Sequence, residues 1–350
     1  MNVSAEQAVV LPLMMGVPDN RLISVSSRGA GAPLAYHFLG NSRIATNLAP
    51  RFKQRLLRIF FGPDMPIHLP NGAHGLPLIN AVAHPDISSI ALRMLEQFIA
   101  ESDVGCFNHP VAVLGLGRDG IATKLKNLAG VHMPRTARVR IDEPDDLNRI
   151  ADESGLAWPL IVRVAGSHRG AATVKIDEPG KIRAALRGLA WGGHDLYLTQ
   201  YVECRDQDGY YRKLRVVVVG GEVFLRHLVI ADGWLVHVHD RLLGHLQEET
   251  ATLADFRGGI LPELRDRLHA IADAVDMDYF GIDCNLRPDG RLLVFEVNAM
   301  MDILNNTMAS PNCWDEPIRQ IHDALGALLF EPTRWRHPGE IPAPIIAMSE

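Results

Sequence analysis

The sequence predicts an α+β fold, because strand and helix patterns are mixed along the chain without the strict alternation of a parallel sheet. Near the C-terminus, 214–228 and 281–298 each contain two alternating runs around a two-residue turn signal. Helical spacing of apolar residues recurs at 121–128, 144–154, 179–189 and 261–275. Hairpins accompanied by separate helices are typical of α+β proteins.

The first 110 residues predict a separate N-terminal α/β domain. Strand patterns occur at 8–15 and 22–25, the basic stretch 51–58 predicts a helix, and 88–99 has apolar residues at helical spacing. Later strand patterns lie at 138–141, 160–165, 172–176 and 196–202. We therefore divide the chain into an N-terminal domain (1–110), a smaller subdomain (111–202), a larger subdomain (203–330) and an irregular proline-rich arm (331–350).

Composition excludes several classes of protein. The chain has 350 residues and a formal net charge of −6, which argues against a dominant nucleic-acid surface. No apolar run reaches the roughly 18 residues of a membrane span, so we expect no membrane partner. The four cysteines are scattered and form no Cys-x-x-Cys pair, which favours a reducing cytoplasm.

The hairpin at 281–298 carries paired acidic side chains. Closing it at Asp289-Gly290 places Asp283 directly opposite Glu296, with Asn298 two residues further on the same face. Opposed Cβ atoms lie about 5 Å apart, and two anions at that distance repel by roughly 3 kcal/mol. We expect a positive group between them. The reverse face is apolar: Ile282, Cys284 and Leu286 against Leu293, Phe295 and Val297.

These acidic residues have two interpretations. Two carboxylates and an amide oxygen are hard oxygen ligands, and together with phosphate oxygens and water they suit Mg²⁺. The alternative is a solvated acidic pair that contributes little to stability. The apolar reverse face favours the metal interpretation.

A second hairpin, 214–228, carries the opposite charge. Its Gly220-Gly221 turn predicts that Arg215 lies opposite Arg226, with Lys213 on the same face. Arginine presents a planar fork that suits phosphate or carboxylate. The alternative is a solvated basic face. Beside a magnesium site, the better hypothesis is that these cations bind a polyphosphate.

Asp283, Glu296 and Asn298, read with the upstream segments, resemble the ATP-grasp superfamily of ATP-dependent carboxylate-amine ligases over roughly 108–308. The resemblance implies an ATP-grasp fold, in which ATP lies between two α+β subdomains. The N-terminal α/β domain precedes these subdomains in the sequence. It also implies that Asp283, Glu296 and Asn298 hold Mg²⁺, with two ions possible.

The resemblance also assigns nucleotide-binding residues. Arg163 stands where the family usually has a phosphate-binding lysine, and His168 lies in the glycine-rich loop that follows. Arg118 and Lys124 resemble an early basic pair on the nucleotide side. The remaining assignments are an adenine-binding linker (Gln200, Tyr201, Val202), two residues near the β- and γ-phosphates (Lys213, Arg215) and one that holds a substrate carboxylate or transferred phosphate (Arg226).

The implied reaction is formation of an amide or peptide bond. A carboxylate attacks the γ-phosphorus of ATP to give an acyl phosphate and ADP, and an amine then displaces phosphate. The implied partners are small-molecule or peptide carboxylates and amines, and a homodimer is one assembly we consider. Two alternatives remain: an ATP-binding protein without catalysis, in which Arg163 supports binding or regulation only, and a small-molecule kinase.

Two further motifs compete with this interpretation. Gly115, Gly117 and Gly120 form a literal G-x-G-x-x-G after an apolar run, the context of a dinucleotide-binding oxidoreductase. That motif does not explain the paired hairpins, and we expect the glycines to form a linker turn. His237 and His239, two residues apart on a predicted strand, could hold zinc, but the sequence offers no third ligand, so we expect a structural or surface role.

Overall fold

The computed structural model describes residues 10–339 except 28, 30–33, 168, 169 and 171. Its strands are β1 (Leu11–Gly16), β2 (Ser24–Ser26), β3 (Ala35–His37), β4 (Leu56–Phe61), β5 (Leu78–Asn80), β6 (Cys106–Phe107), β7 (Val131–His132), β8 (Thr136–Val139), β9 (Leu160–Val164), β10 (Thr173–Ile176), β11 (Leu196–Gln200), β12 (Tyr211–Val219), β13 (Glu222–Ala231), β14 (Tyr279–Leu286) and β15 (Leu292–Asn298).

The α-helices are α1 (Ile44–Asn47), α2 (Pro50–Lys53), α3 (Ser89–Ser102), α4 (Pro110–Leu114), α5 (Arg118–Leu125), α6 (Asp146–Glu153), α7 (Ile182–Leu186), α8 (Leu246–Asp255), α9 (Leu261–Val275) and α10 (Asp315–Leu329). A π-helical turn, Phe256–Ile260, joins α8 to α9. Short 3-10 turns lie at Pro179–Lys181, Val238–Asp240, Leu243–His245 and Pro332–Arg334.

The N-terminal sheet is parallel, with strand order β4-β1-β5-β6. Every residue of β1 is buried, because its side chains alternate between two cores. Met14 packs on one side with Leu92 of α3, and Leu13 packs on the other side with Leu325 of α10. The carboxyl end of β5 lies beside β1, with Met14 paired to Asn80.

The predicted helix at 51–58 is wrong in its second half. Only α2 is helical, and from Leu56 the chain enters β4, which pairs in parallel with β1 from Leu11↔Leu56 to Gly16↔Phe61. Ile59 and Phe61 are buried by this pairing. Burial of an apolar strand against β1 outweighs the local helical preference of the basic residues.

The smaller sheet, of order β10-β9-β11-β8, is antiparallel. One face packs Val162 and Leu198 against Leu147 of α6 and Leu186 of α7. The side chains at the intervening positions of these strands lie on the other face. The smaller sheet thus presents one polar face away from its own core.

The larger sheet has the order β13-β12-β14-β15-β7 and is antiparallel except for β7, which runs parallel to β15. Val218 and Ile282 pack with Leu268 of α9 on one side. Val217 and Tyr279 pack with the α10 and β1 residues on the other side. Strands β12 and β14 are direct neighbours, which brings the two hairpins together.

The α+β fold class is confirmed, with α8 and α10 as helices that the sequence patterns missed. The domain limits stay a prediction. The part of the arm that the structure describes is packed, since Trp335 is 3% exposed and the Cys106 N–H donates to the His337 carbonyl at 2.9 Å. The four cysteines are free thiols. No helix in the described ranges is long and apolar enough to cross a membrane.

Candidate active site

The acidic hairpin has the predicted pairing, although its turn and its register near the turn differ from the prediction. Asp283 lies opposite Glu296, as predicted. The turn is one residue longer than expected, because the Arg287 N–H donates to the Arg291 carbonyl at 2.9 Å and Gly290 takes a φ of +78°. A one-residue irregularity between Asp283 and Cys284 then restores the register. Two deviations therefore cancel at the acidic pair.

The bulge moves Phe295 out of the predicted apolar face. Val294, and not Phe295, pairs with Cys284, whereas Leu293 pairs with Asn285. Phe295 is half-buried and lines a cleft between the sheets, and its carbonyl accepts a hydrogen bond from Arg118 Nη1 at 3.2 Å. The bulge thus turns a backbone acceptor towards the site.

The predicted opposition of Arg215 and Arg226 is wrong. The two-glycine turn forms as expected, with Val219 opposite Glu222, but a bulge in β13 places Arg215 opposite His227. Arg226 occupies the bulge and donates to the carbonyls of Ile303 and Asn305, both at 2.8 Å. It therefore anchors the segment after β15.

Asp283 is neutralised by side chains of the neighbouring hairpin. Arg215 binds both carboxylate oxygens, with Nε–Oδ1 at 2.8 Å and Nη2–Oδ2 at 2.9 Å, and Lys213 Nζ lies 3.2 Å from Oδ2. Burial raises the pKa of Asp283, but the charges of Arg215 and Lys213 outweigh burial and hold it well below its usual value. The neighbouring hairpin thus supplies two of the positive groups that surround Asp283.

Glu296 has its own cations. Arg118 Nη2 lies 3.3 Å from Oε2, and Asn298 Nδ2 donates to Oε1 at 3.0 Å. Burial raises the pKa of Glu296, but Arg118 and then Arg163 lower it to about 2, so the side chain is a carboxylate at neutral pH. The Asn298 amide oxygen accepts the Met300 N–H at 2.6 Å.

Arg163 faces the same cleft from the smaller sheet. Its Nη2 donates to the Ser167 carbonyl at the start of the glycine-rich loop. Burial and then the charge of Arg118 lower the pKa of Arg163 to about 10. Arg118, Arg163, Glu296 and Asn298 line the cleft. His168 lies outside the described residues.

The linker continues from the end of β11, which lies between β9 and β8 in the smaller sheet. The N–H groups of Gln200 and Tyr201 donate to the carbonyls of Arg135 and Pro159, each at 2.9 Å. The Tyr201 ring lies 4.3 Å from Lys175 Nζ, and Val202 is half-buried. The linker backbone is therefore tied to the smaller subdomain.

Lys124 lies on α5, and neither competing motif has the secondary structure that its interpretation requires. Lys124 is exposed on α5, and its Cε would be 2.9 Å from a Cβ added at Gly115. The glycine motif follows helix α4 and not a strand, so it lacks the strand-turn-helix context of a dinucleotide site. The predicted strand at His237 and His239 is instead a 3-10 turn. Across the described ranges, no group of three or more His, Cys, Asp or Glu side chains could hold a metal ion.

Sequence reasoning missed a contribution from the segment that follows β5. His84 and Asp86, which follow β5, line the cleft together with Tyr197 of β11. The Tyr197 hydroxyl and Arg138 both donate to the Asp86 carboxylate. The alternation of the short strands could have indicated that Arg138 and Tyr197 point away from their core, but no pattern indicated Asp86.

Comparison with solved structures identifies the fold. The D-alanine-D-alanine ligase from Coxiella burnetii superposes with a TM-score of 0.52 at 12% identity, covering 92% of this chain and 95% of that one. Carboxyaminoimidazole ribonucleotide synthase from Aspergillus clavatus, complexed with ATP, gives 0.51 at 14% identity over 90% of this chain and 77% of that one. The VanG D-Ala:D-Ser ligase from Enterococcus faecalis gives 0.51 at 10% identity over 91% and 98%.

No protein-family model and no curated protein sequence matches the chain. At these identities the structural likeness carries the fold alone. The chain has the ATP-grasp fold, as the resemblance predicted. The solved structures of this fold that it resembles include two ligases and a synthase.

Proposed function

We propose that the protein is an ATP-dependent ligase that joins a carboxylate to an amine through an acyl phosphate and releases ADP. The observation that carries the proposal is the placement of Arg118 and Arg163 beside Glu296 and Asn298 in one cleft between two sheets. Cations suit a polyphosphate, and the acid with its amide suits a divalent ion. The ATP-grasp fold supports this interpretation.

The residues present fit a magnesium ion. Asp283 and Glu296 lie opposite each other on adjacent strands, and the pKa of each carboxyl is lowered, so both are anions at neutral pH. Their arginine contacts leave further lone-pair positions on the carboxylate oxygens. Asp283, Glu296 and Asn298 would hold one or two ions. Magnesium would supply charge neutralisation on the transferring phosphoryl group.

Each further side chain has a proposed task. Arg163 and Lys213 would bind phosphate oxygens of ATP, and Arg215 would stabilise charge that develops on the transferred phosphoryl group while it keeps Asp283 in place. Gln200, Tyr201 and Val202 would border the adenine. Lys124 and His168 stay predictions as nucleotide contacts, with Lys124 exposed on α5.

Arg226 has a revised task. Two of its N–H groups are taken by the Ile303 and Asn305 carbonyls, and the side chain is buried. We propose that it holds the segment after β15 in position, so that Asn298 and the residues beyond it form one wall of the substrate pocket.

The proposed reaction needs no side-chain nucleophile. An oxygen of the substrate carboxylate attacks the γ-phosphorus, and the bond to the ADP oxygen breaks. The amine nitrogen then attacks the acyl carbon, inorganic phosphate leaves with its electron pair, and the nitrogen loses a proton. The protein's contribution is to orient the reactants and to stabilise negative charge. The proposed substrates are small-molecule or peptide carboxylates and amines in the cytoplasm.

The test is ADP release with ATP and Mg²⁺ across panels of acids and amines, with products identified by mass spectrometry. We expect ADP release to depend on an acceptor and to fall at least about 100-fold in Glu296→Ala, a loss typical of a disrupted electrostatic site. The matched control is Glu222→Ala, which removes an exposed carboxylate of the other hairpin.

Two outcomes would contradict the ligase, and a third would contradict the assignment of Glu296. A phosphorylated product without an amide would indicate a kinase. Saturable ATP binding without turnover would indicate a binding module. Near-normal turnover of Glu296→Ala at limiting Mg²⁺ would remove Glu296 from the site.

A further inference from the structure

The Asp86 carboxylate is held as an anion on the polar face of the smaller sheet. The Tyr197 hydroxyl lies 2.9 Å from each carboxylate oxygen, and Arg138 Nη2 also donates to Oδ1. The Asp86 side chain is 7% exposed. Burial raises the pKa of Asp86, but the hydrogen bond and charge of Arg138 outweigh burial and lower it. This is a well-formed anion site whose ligand comes from another domain.

The same anion site belongs to the nucleotide cleft. Tyr197 pairs with Arg138 on one side and with Arg163 on the other, so the three side chains form a row on one face of three adjacent strands. Asp86, Tyr197 and Arg163 all line the cleft. Gly166 brings the glycine-rich loop close, since a Cβ added there would be 3.8 Å from the Asp86 Cβ.

The position of the row along β11 indicates which part of a nucleotide it would meet. Tyr197 precedes Gln200 by three residues, which is about 10 Å along a strand. That distance is comparable to the length of a nucleoside. With the base at Gln200–Val202, the row lies level with the phosphates, and a guanidinium fork suits a phosphate oxygen pair.

We infer that Arg138 and Tyr197 form a phosphate subsite of the nucleotide cleft, which the Asp86 carboxylate occupies in this conformation and which a nucleotide phosphate takes by displacing Asp86. The inference rests on the proposed nucleotide site. The carboxylate and the phosphate are both anions that need the same donors, so they exclude each other. Asp86 is therefore an internal competitor of the nucleotide.

The test compares dissociation constants of ADP and adenosine by titration calorimetry for the wild type and Asp86→Asn. Asparagine keeps the size of the side chain and removes its charge. We expect the Kd of ADP to fall about fivefold to tenfold, because the competing state is depleted, while the Kd of adenosine stays unchanged. An unchanged or higher Kd for ADP overturns the inference. An equal gain for adenosine also overturns it, because adenosine has no phosphate.

Two further variants make the result specific. Asp195→Asn is the matched control, since Asp195 Oδ2 lies 3.4 Å from Arg138 Nη1 but its side chain is 37% exposed. We expect its Kd for ADP to equal that of the wild type, and a gain as large as that of Asp86→Asn would overturn the inference. Adding Arg138→Ala to Asp86→Asn should abolish the gain, and a gain that persists would remove Arg138 from the subsite.

These measurements separate the inference from the proposed ligase, because ADP binding needs no turnover. If Asp86→Asn tightens ADP but no acid and amine are ever joined, the ligase fails and the subsite stands. If the enzyme forms amides but Asp86→Asn leaves ADP affinity unchanged, the subsite fails and the ligase stands. Hydrogen exchange without nucleotide gives an independent readout. Faster exchange at 83–87 in Asp86→Asn supports the contact, and unchanged exchange overturns it.

Discussion

Arg215 and Asp283 lie directly opposite each other on neighbouring antiparallel strands, and the guanidinium binds both carboxylate oxygens at 2.8 and 2.9 Å. The Asp283 side chain is 5% exposed and the Arg215 side chain 18%. A buried pair of this kind joins the basic hairpin to the acidic one at the proposed metal site. The pair therefore links fold stability to the site.

Breaking this pair should be costly. Arg215→Ala leaves a buried carboxylate with Lys213 as its remaining cation, and we expect a loss of about 3–5 kcal/mol in the free energy of unfolding, measured with urea. Adding Asp283→Asn should recover part of that loss. Strictly additive losses in the double variant would show that the residues are not coupled. The exposed pair Arg319–Asp323 is the control, and Arg319→Ala should cost less than about 1 kcal/mol.

The ionisation of Glu296 predicts a loss of stability in acid. Its pKa is lowered from 4.5 to about 2 in the folded protein, so its contribution is fully present above about pH 5 and is lost as the pH falls through 2. We expect about 3 kcal/mol of pH-dependent stability, which Glu296→Gln removes. Urea titrations at several pH values measure it. Wild-type and Glu296→Gln stability curves that stay parallel between pH 5 and 2 would contradict this assignment.

Asn108, which follows β6, holds the start of β14 through its side chain. Its Oδ1 accepts the N–H groups of Asp278 and Tyr279 at 3.0 and 2.8 Å, and its Nδ2 donates to the Tyr279 carbonyl at 2.8 Å. Asn108 also has a φ of +53°, which asparagine and glycine tolerate best. We expect Asn108→Ala to cost about 3–4 kcal/mol in thermal or urea unfolding.

The glycine variant of Asn108 separates the two contributions. Asn108→Gly loses the same side-chain hydrogen bonds but relieves the backbone strain. It should therefore be less stable than the wild type but more stable than Asn108→Ala by about 1 kcal/mol. If Asn108→Gly were the less stable of the two variants, the positive φ would not explain the asparagine.

Gly326 allows Phe52 to pack against α10. A Cβ at position 326 would lie 2.2 Å from Phe52 Cε2. Alanine favours a helix by about 1 kcal/mol, but the clash should outweigh that gain, and we expect Gly326→Ala to cost about 1–3 kcal/mol. In a Phe52→Ala background the same change should be neutral or stabilising. Gly258→Ala is the control, because nothing lies within 4 Å of its added Cβ.

The two hairpins show how far alternation along a sequence can specify a site. In β14–β15 the longer turn shifts the register by one residue and the bulge at Phe295 shifts it back, so Asp283 meets Glu296 as predicted. In β12–β13 the turn is as predicted but a bulge remains, so Arg215 meets His227 in place of Arg226. A bulge depends on packing across the sheet, and the local pattern carries no signal for it.

By itself the sequence determined the α+β class, the two hairpins and the strands that carry the acidic and basic residues, because these depend on local periodicity and turn residues. Only the tertiary structure decided which charges meet. The pairing of β12 with β14 brings Arg215 to Asp283, and the packing of the segment after β5 against the smaller sheet brings Asp86 to Arg138. Coulomb energies change over a few ångströms, and contacts between residues more than 50 positions apart depend on strand order and domain docking, which periodicity does not encode.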